Sequence, residues 1–111
     1  IWGIALGTVA SAASLIYISC HKRFALPNTT FVFHKGSASG ISGNYNEINA
    51  MMKDYEYKVE RLIKSYIKYT KYPEEVIREK IENDWYINAN PEGIANGICN
   101  QIIEDIGVFF E

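Results

Sequence analysis

The chain has 111 residues, of which 48% are hydrophobic, and a formal net charge of −2. That length suits one domain or part of one, and the apolar fraction suffices for a core burying roughly two-thirds of the unfolded-chain surface. The charge argues against a nucleic-acid binder, because no Lys/Arg cluster with interleaved aromatics is present to meet a phosphate backbone.

The charge is unevenly placed. Residues 1–43 hold Lys22, Arg23 and Lys35 and no acid, which is +3, whereas residues 44–111 hold all 13 acids and the other bases, which is −5. The first part reads as buried and glycine-rich, the second as amphipathic and solvent-facing. Cys20 and Cys99 are far apart and form no Cys-x-x-Cys pair. Free thiols in a reducing cytosol are expected over a disulfide. His21 beside Cys20 has no second ligand pair at matching spacing, so no metal site is expected.

Ile1 to Ser19 contains no charge. By length alone it could be a membrane helix or a signal sequence, and Tyr17-Ile18-Ser19-Cys20 faintly resembles a lipoprotein cleavage site. Its middle, Gly7 to Ser14, is rich in small and hydroxyl residues rather than leucine. A buried strand running through a tight turn into a buried helix is the better reading. The opening in mid-run suggests that residues preceded Ile1.

In chain order, Ile1 to Leu6 predicts a buried parallel strand ending at Gly7. Ala10 to Ser19, small and apolar on all sides, predicts a helix deep in the core. His21-Lys22-Arg23 would close that helix at the surface, where cations favour a helix C-terminus. Phe24-Ala25-Leu26 is stopped by the turn signal Pro27-Asn28. Thr29 to His34 predicts a strand with Thr30, Val32 and His34 on one face and Phe31 and Phe33 on the other. Lys35 to Gly43 reads as a loop or edge strand. Apolar residues at three- and four-residue steps predict a long helix from Asn46 to Lys71. Pro73 opens a second helix to Glu82. Asn83-Asp84 ends it, and Trp85-Tyr86-Ile87 looks extended. Asn90 as N-cap, Pro91 at the first position and Gly97 at C′ predict a third helix over Pro91 to Asn96. Ile98 and Cys99 begin another buried segment. This order predicts an α/β domain with a mainly parallel sheet.

A serine nucleophile needs an exposed hydroxyl on a tight turn, a histidine base, and backbone N–H groups aimed at the oxyanion. Ser11 lies where a strand turns into a helix and is flanked by alanines, although a small residue in a tightly packed helix would look the same. His34 ends a strand before a glycine-rich loop, as a base reaching a cleft would, or as an edge histidine bonded to a carbonyl would. Asp84 sits at a helix end, where a solvated acid is equally at home. No spacing rule joins the three.

A resemblance does join them. Gly7-Thr8-Val9-Ala10-Ser11-Ala12-Ala13-Ser14 resembles the Gly-x-Ala-Ala-Ser stretch around the nucleophile of the Clp protease proteolytic subunit (ClpP) family. Lys22-Arg23-Phe24-Ala25-Leu26-Pro27-Asn28 resembles that family's Lys-Arg-x-x-Leu-Pro-Asn. Phe31-Val32-Phe33-His34 is similar to the strand ending in its catalytic histidine, and the following loop and long helix resemble its protruding handle. Asn83-Asp84-Trp85-Tyr86-Ile87-Asn88-Ala89 is similar to Arg-Asp-x-x-Leu-Ser-Ala, which carries the catalytic aspartate. Pro91-Glu92 and Asn96-Gly97-Ile98-Cys99-Asn100 are similar to Pro-Glu-Ala and Tyr-Gly-Leu-Val-Asp. The blocks occur in the family's order over residues 3–103. Departures are Val9 for alanine, Lys35-Gly36 for Gln-Pro, Asn100 for Asp, two residues deleted around Cys20 and one inserted near Asn90.

The resemblance implies a ClpP/crotonase-like fold, a parallel β/α superhelical core with a long handle helix, of which residues 1–111 are the C-terminal portion. It implies an ATP-dependent serine endopeptidase with Ser11, His34 and Asp84 as catalytic residues and the Ala12 N–H in the oxyanion hole. The family's Gly-Gly segment, the other part of that hole, lies before residue 1. Also implied are heptameric rings stacked in pairs through the long helix and Gly40-Ile41-Ser42-Gly43, an AAA+ unfoldase partner, unfolded polypeptide as substrate, and a cytoplasmic location. No cofactor, nucleic acid or membrane partner is expected, and no ATP-binding motif is present. Three rivals are a phage- or plasmid-type processing protease of the same fold, a non-catalytic scaffold subunit of a mixed ring, and a crotonase-type acyl-CoA enzyme. The intact serine, histidine and aspartate argue against the scaffold, and Ser11 with His34 argues against the crotonase-type enzyme.

Overall fold

The computed structural model describes residues 1–36 and 41–110. The chain alternates between two sheets. Strand β1 (Trp2–Ala5) enters the first and, past Gly7, β2 (Thr8–Ala10) enters the second. Helix α1 (Ala12–Ile18) returns the chain, and β3 (Lys22–Ala25) and β4 (Thr30–Phe33) repeat the move. Helices α2 (Tyr45–Tyr69) and α3 (Glu74–Lys80) follow, then β5 (Trp85–Asn88), a helical turn over Ala89–Gly93, β6 (Gln101–Ile102) and a tight turn over Ile106–Phe109.

Among the described residues the first sheet has the order β1-β3-β6, all parallel, with Ala5 beside Ala25 and Ala25 beside Ile102. The second has the order β2-β4-β5. Its β2 and β4 are parallel, with Ala10 beside Val32, and β4 and β5 are antiparallel, with Phe33 beside Trp85. The α/β class matches the expectation. The single, mainly parallel sheet is corrected to two sheets, because two-strand units that turn at Gly7 and at Pro27-Asn28 cannot keep both strands in one layer.

Several element expectations are corrected too. β1 is not buried on both faces: Gly3 and Ala5 face inward, while Trp2, Ile4 and Leu6 remain 56%, 42% and 54% exposed. Gly3 packs tightly there, since a Cβ would lie 3.0 Å from the Tyr17 ring and 3.2 Å from Cys20 Sγ, so a larger residue would have to push these side chains aside. Phe24 and Phe109 join Trp2 on the outer face, with ring centroids 5.4 and 6.0 Å from it. α1 starts at Ala12 rather than Ala10, because β2 takes the preceding residues. It buries one side only, through Ser14, Tyr17 and Ile18, and leaves Ile16 exposed.

Lys22 and Arg23 lie in β3, not at the end of α1. Arg23 still serves that end, donating from Nη1 to the Ile18 and Cys20 carbonyls at 3.0 and 2.8 Å. Its Nε and Nη2 donate to the Ile98 and Gly97 carbonyls, both at 2.8 Å. Asn100 accepts the Arg23 backbone N–H at 2.7 Å through Oδ1, an atom that an aspartate would also supply.

The long helix forms as its periodicity predicts, with Asn44 as N-cap. The Asn44 side chain accepts from the Glu47 N–H and donates to the Glu47 carboxylate, so both partners are satisfied. Only Ile63 and Tyr66, near its C-terminal end, are buried. Tyr45, Ile48 and Met51 at the other end are exposed, and the described residues measure 59 × 27 × 21 Å. A helix of this length spans about 37 Å at 1.5 Å per residue, so its first half stands off the core. Ser37 to Gly40, part of the glycine-rich loop and of the expected ring–ring segment, lie outside the described residues.

Pro73 caps α3 rather than occupying its first position. The third helix forms where it is expected: Asn90 has the extended backbone of a residue preceding a helix, with φ −119 and ψ 117, the Asn90–Pro91 peptide is cis, and from Pro91 the chain runs helically to Ala95, with the Asn96 N–H on the Glu92 carbonyl at 3.0 Å. Asn90 thus stands where the N-cap is expected, with Pro91 at the first helical position. Gly97, at φ 76, takes the left-handed conformation that a C′ glycine favours. Ile1–Ser19 forms β1, β2 and α1, and no helix among the described residues is long and apolar enough to cross a membrane. Cys20 and Cys99 are free.

The core lies between the second sheet and the helices. Phe33 stacks on Tyr66 at 4.3 Å and meets the Trp85 edge at 5.8 Å. Phe31, Ile77 and Ile87 are fully buried beside them. Each such side chain contributes about 1.5–3 kcal/mol by leaving water. This packing fixes β4 and β5, and with them the candidate site.

Candidate active site

The site residues meet because three strand ends share one edge of the second sheet. Ser11 follows β2 and His34 follows β4, and these two strands run parallel in adjacent positions. β5 runs antiparallel to β4 with Trp85 beside Phe33, so Asp84 arrives opposite His34. Ligand sites in α/β proteins gather at such carboxyl ends of parallel strands.

Ser11 Oγ lies 2.7 Å from His34 Nε2, and His34 Nδ1 lies 3.2 Å from an Asp84 carboxylate oxygen. An ionised Asp84 can only accept, so Nδ1 carries the proton and Nε2 is left to accept the serine O–H. Ser11 and Asp84 face solvent, and the His34 side chain is 32% exposed. A cleft of about 630 Å³ runs beside the row, lined by His34, Gly36, Glu82, Asn83, Asp84 and Tyr86 among others.

Ser11 has φ 53 and ψ −128, in the left-handed half of conformational space. A non-glycine residue held so costs of order 1–3 kcal/mol, a strain that collects at functional turns. It tips Oγ outward from the strand-to-helix corner. Ala12, at the first position of α1, is exposed, and its N–H has no backbone acceptor among the described residues.

Lys35, just after β4, ties that strand end to the C-terminal end of α3. Its backbone N–H donates to the Ile81 carbonyl at 3.3 Å, and its ammonium pairs with Glu82, which pushes the lysine pKa up. Here the departure from Gln-Pro supplies an ion pair alongside the His34–Asp84 contact. Two neighbours escape a reading of the sequence alone. Ser14 Oγ donates to the Ser11 carbonyl at 2.6 Å, a contact that the three-residue spacing on a helix would have suggested. Tyr66 lies beneath the site, and only its place in the α2 stripe points to it. Among the described residues, no group of three His, Cys, Asp or Glu side chains could hold a metal ion.

The alternating two-sheet α/β fold with its long helix defines the class, and comparison with known proteins places the chain within it. The chain belongs to the Clp protease family, whose model matches residues 1–106. It is similar to the ATP-dependent Clp protease proteolytic subunit 2 of Pseudomonas aeruginosa, at 36% identity over 102 residues, which are 90% of this chain and 50% of that protein. It is also similar to the ATP-dependent Clp protease proteolytic subunit 3 of Rhizobium meliloti, at 32% over 108 residues, covering 96% of this chain and 54% of that one. The corresponding subunit of Deinococcus radiodurans is 29% identical over 103 residues, covering 91% and 50%. The chain thus spans about half the length of the curated relatives it matches.

Proposed function

We propose that these residues form the C-terminal, catalytic portion of a serine endopeptidase subunit that cleaves unfolded polypeptides by acyl transfer. The observation that carries this reading is the continuous Ser11–His34–Asp84 row, with a strained serine at its head. Ser11 Oγ attacks the peptide carbonyl carbon while His34 Nε2 takes the hydroxyl proton. The tetrahedral intermediate collapses, the C–N bond breaks, and Nε2–H delivers that proton to the leaving amine. Water, deprotonated by the same nitrogen, hydrolyses the acyl-serine. Asp84 holds the imidazole tautomer and offsets its positive charge. The Ala12 N–H supplies one oxyanion donor, and a part of the subunit outside residues 1–111 supplies the other.

The assembly follows the named relatives, which are proteolytic subunits of ATP-dependent proteases. Heptameric rings stacked in pairs would use the exposed half of α2, with Tyr45, Ile48 and Met51, and an AAA+ unfoldase would feed the chamber. The outer face of the first sheet, with Trp2, Ile4 and Leu6, would be covered by the rest of the subunit. A reducing cytoplasm suits the two free cysteines.

The test is labelling of the full-length, assembled protein with a fluorophosphonate probe. Wild type should be labelled on Ser11, and Ser11→Ala should abolish the label. An assembled wild type that stays unlabelled, or a label that survives Ser11→Ala, rules out the peptidase reading and favours a scaffold subunit.

A further inference from the structure

Tyr66 is fully buried, and its hydroxyl makes no hydrogen bond of good geometry among the described residues. An orphaned buried hydroxyl costs free energy, and if Tyr66 served packing alone a phenylalanine would fill the same space without that cost. The hydroxyl faces two groups, the Ser14 side chain and the His34 backbone amide. Both belong to the segments that carry the proposed nucleophile and base. Ser14 Oγ already donates to the Ser11 carbonyl at 2.6 Å, which leaves its lone pairs free. The phenol ring is held flat against Phe33, the residue before His34, at 4.3 Å and 15°.

We propose that Tyr66 is a positioning residue whose hydroxyl closes a hydrogen-bond chain running from the His34 amide, through Tyr66 Oη and Ser14 Oγ, to the Ser11 carbonyl. Each donor in this chain has one acceptor, and all bonds point the same way. The chain lies under the Ser11 Oγ–His34 Nε2 contact and ties together the backbones that carry those two atoms. Burial also pushes the phenol pKa up, so the hydroxyl stays protonated and able to donate. Hydrogen bonds in resting active sites are often long and tighten when the site is occupied, which accounts for the open geometry here. The inference rests on the peptidase reading and adds to it a buried group that reaches neither substrate nor reacting atoms.

The experiment compares wild type, Tyr66→Phe, Ser14→Ala and the double variant as full-length assembled protein. It reads thermal melting and the two constants of fluorophosphonate inactivation, the limiting rate and the half-saturating concentration. Tyr66→Phe should melt at or above the wild-type temperature. It should lose on the order of tenfold in limiting rate with half-saturation unchanged, the signature of a misplaced nucleophile rather than weakened binding. Ser14→Ala should lose a similar factor, and the double variant should be no slower than the slower single one, since both break one chain. A limiting rate at the wild-type value in Tyr66→Phe, or losses that multiply in the double variant, would overturn the proposal. If Tyr66→Phe does not fold, Ser14→Ala decides, because an undiminished rate there also overturns it. A wild type that is never labelled at Ser11 overturns the peptidase reading and this inference together, whereas a labelled wild type matched by Tyr66→Phe overturns only the inference.

Discussion

The substitution Asp84→Asn separates a working carboxylate from a bystander. The contact to His34 Nδ1 is 3.2 Å, with Asp84 56% and His34 32% exposed at the side chain. With charge centres about 4 Å apart, stabilisation of the imidazolium lies between ~1 kcal/mol in bulk water and ~4 kcal/mol at the effective dielectric of a protein surface. The half-exposed pair falls between these limits, at about 2–3 kcal/mol, or roughly 30- to 160-fold in the rate of serine acylation. The introduced asparagine would also offer an amide N–H to Nδ1 and draw the imidazole into the tautomer whose Nε2 cannot accept the serine proton. The assay is the limiting rate of fluorophosphonate inactivation in assembled protein. A loss below about threefold, less than even the bulk-water limit predicts, returns Asp84 to the role of a solvated acid. A loss near 10⁴, the figure for a triad aspartate whose asparagine variant traps the wrong tautomer, would show that Asp84 acts chiefly by holding the tautomer and not by the charge stabilisation worked out here.

Other outcomes follow from the same contacts. Arg23→Lys should lower the urea midpoint at unchanged slope by an amount equivalent to about 2–3 kcal/mol, because one ammonium cannot serve four carbonyls spread over the α1 end and residues 97–98. An unchanged midpoint would make the fork ornamental. Burial pushes the Cys99 thiol pKa up, and its side chain is 1% exposed, so iodoacetamide should leave Cys99 unmodified until denaturant is added, as read by peptide mass mapping. Burial also raises the pKa values of Tyr17, Tyr66 and Tyr72. A raised folded-state value contributes stability that is fully present below the unfolded phenol pKa of about 10 and is lost as pH rises through the folded value. Alkaline titration should therefore ionise these three only as circular dichroism reports unfolding, and reversible ionisation of all eight tyrosines in a native spectrum would refute this.

The legible parts of the fold are those written in local pattern. The α2 stripe and the Thr29–His34 alternation each name an element, because hydrophobic period and β-propensity act within a few residues of one another. The β2 strand is hidden, since Thr8-Val9-Ala10 is too short to show a period and its pairing partner, β4, lies some 20 residues away. Lys22 and Arg23 mislead for a related reason. A cation after an apolar run suits a helix end, and Arg23 does reach the carbonyls that end α1, but from a strand, because its side chain is long enough to cross. Trp2, Ile4 and Leu6 read as core because hydrophobicity marks a surface that is to be covered, without saying by what.

Support for the three site residues is uneven for a physical reason as well. Ser11 and His34 each end a strand, and parallel neighbours bring their carboxyl ends together, so the α/β reading already carries most of their meeting. Asp84 depends on β5 reversing direction against β4, a step that no local pattern encodes and that the antiparallel register Phe33–Trp85 alone supplies. That register is held by apolar packing, with Phe33 between Tyr66 and Trp85. The position of the carboxylate is therefore set from the core side, through residues that never touch it. It follows that a cavity at Phe33 should loosen the His34–Asp84 contact before it loosens Ser11–His34, because β2 and β4 pair directly whereas β5 reaches the histidine only through β4.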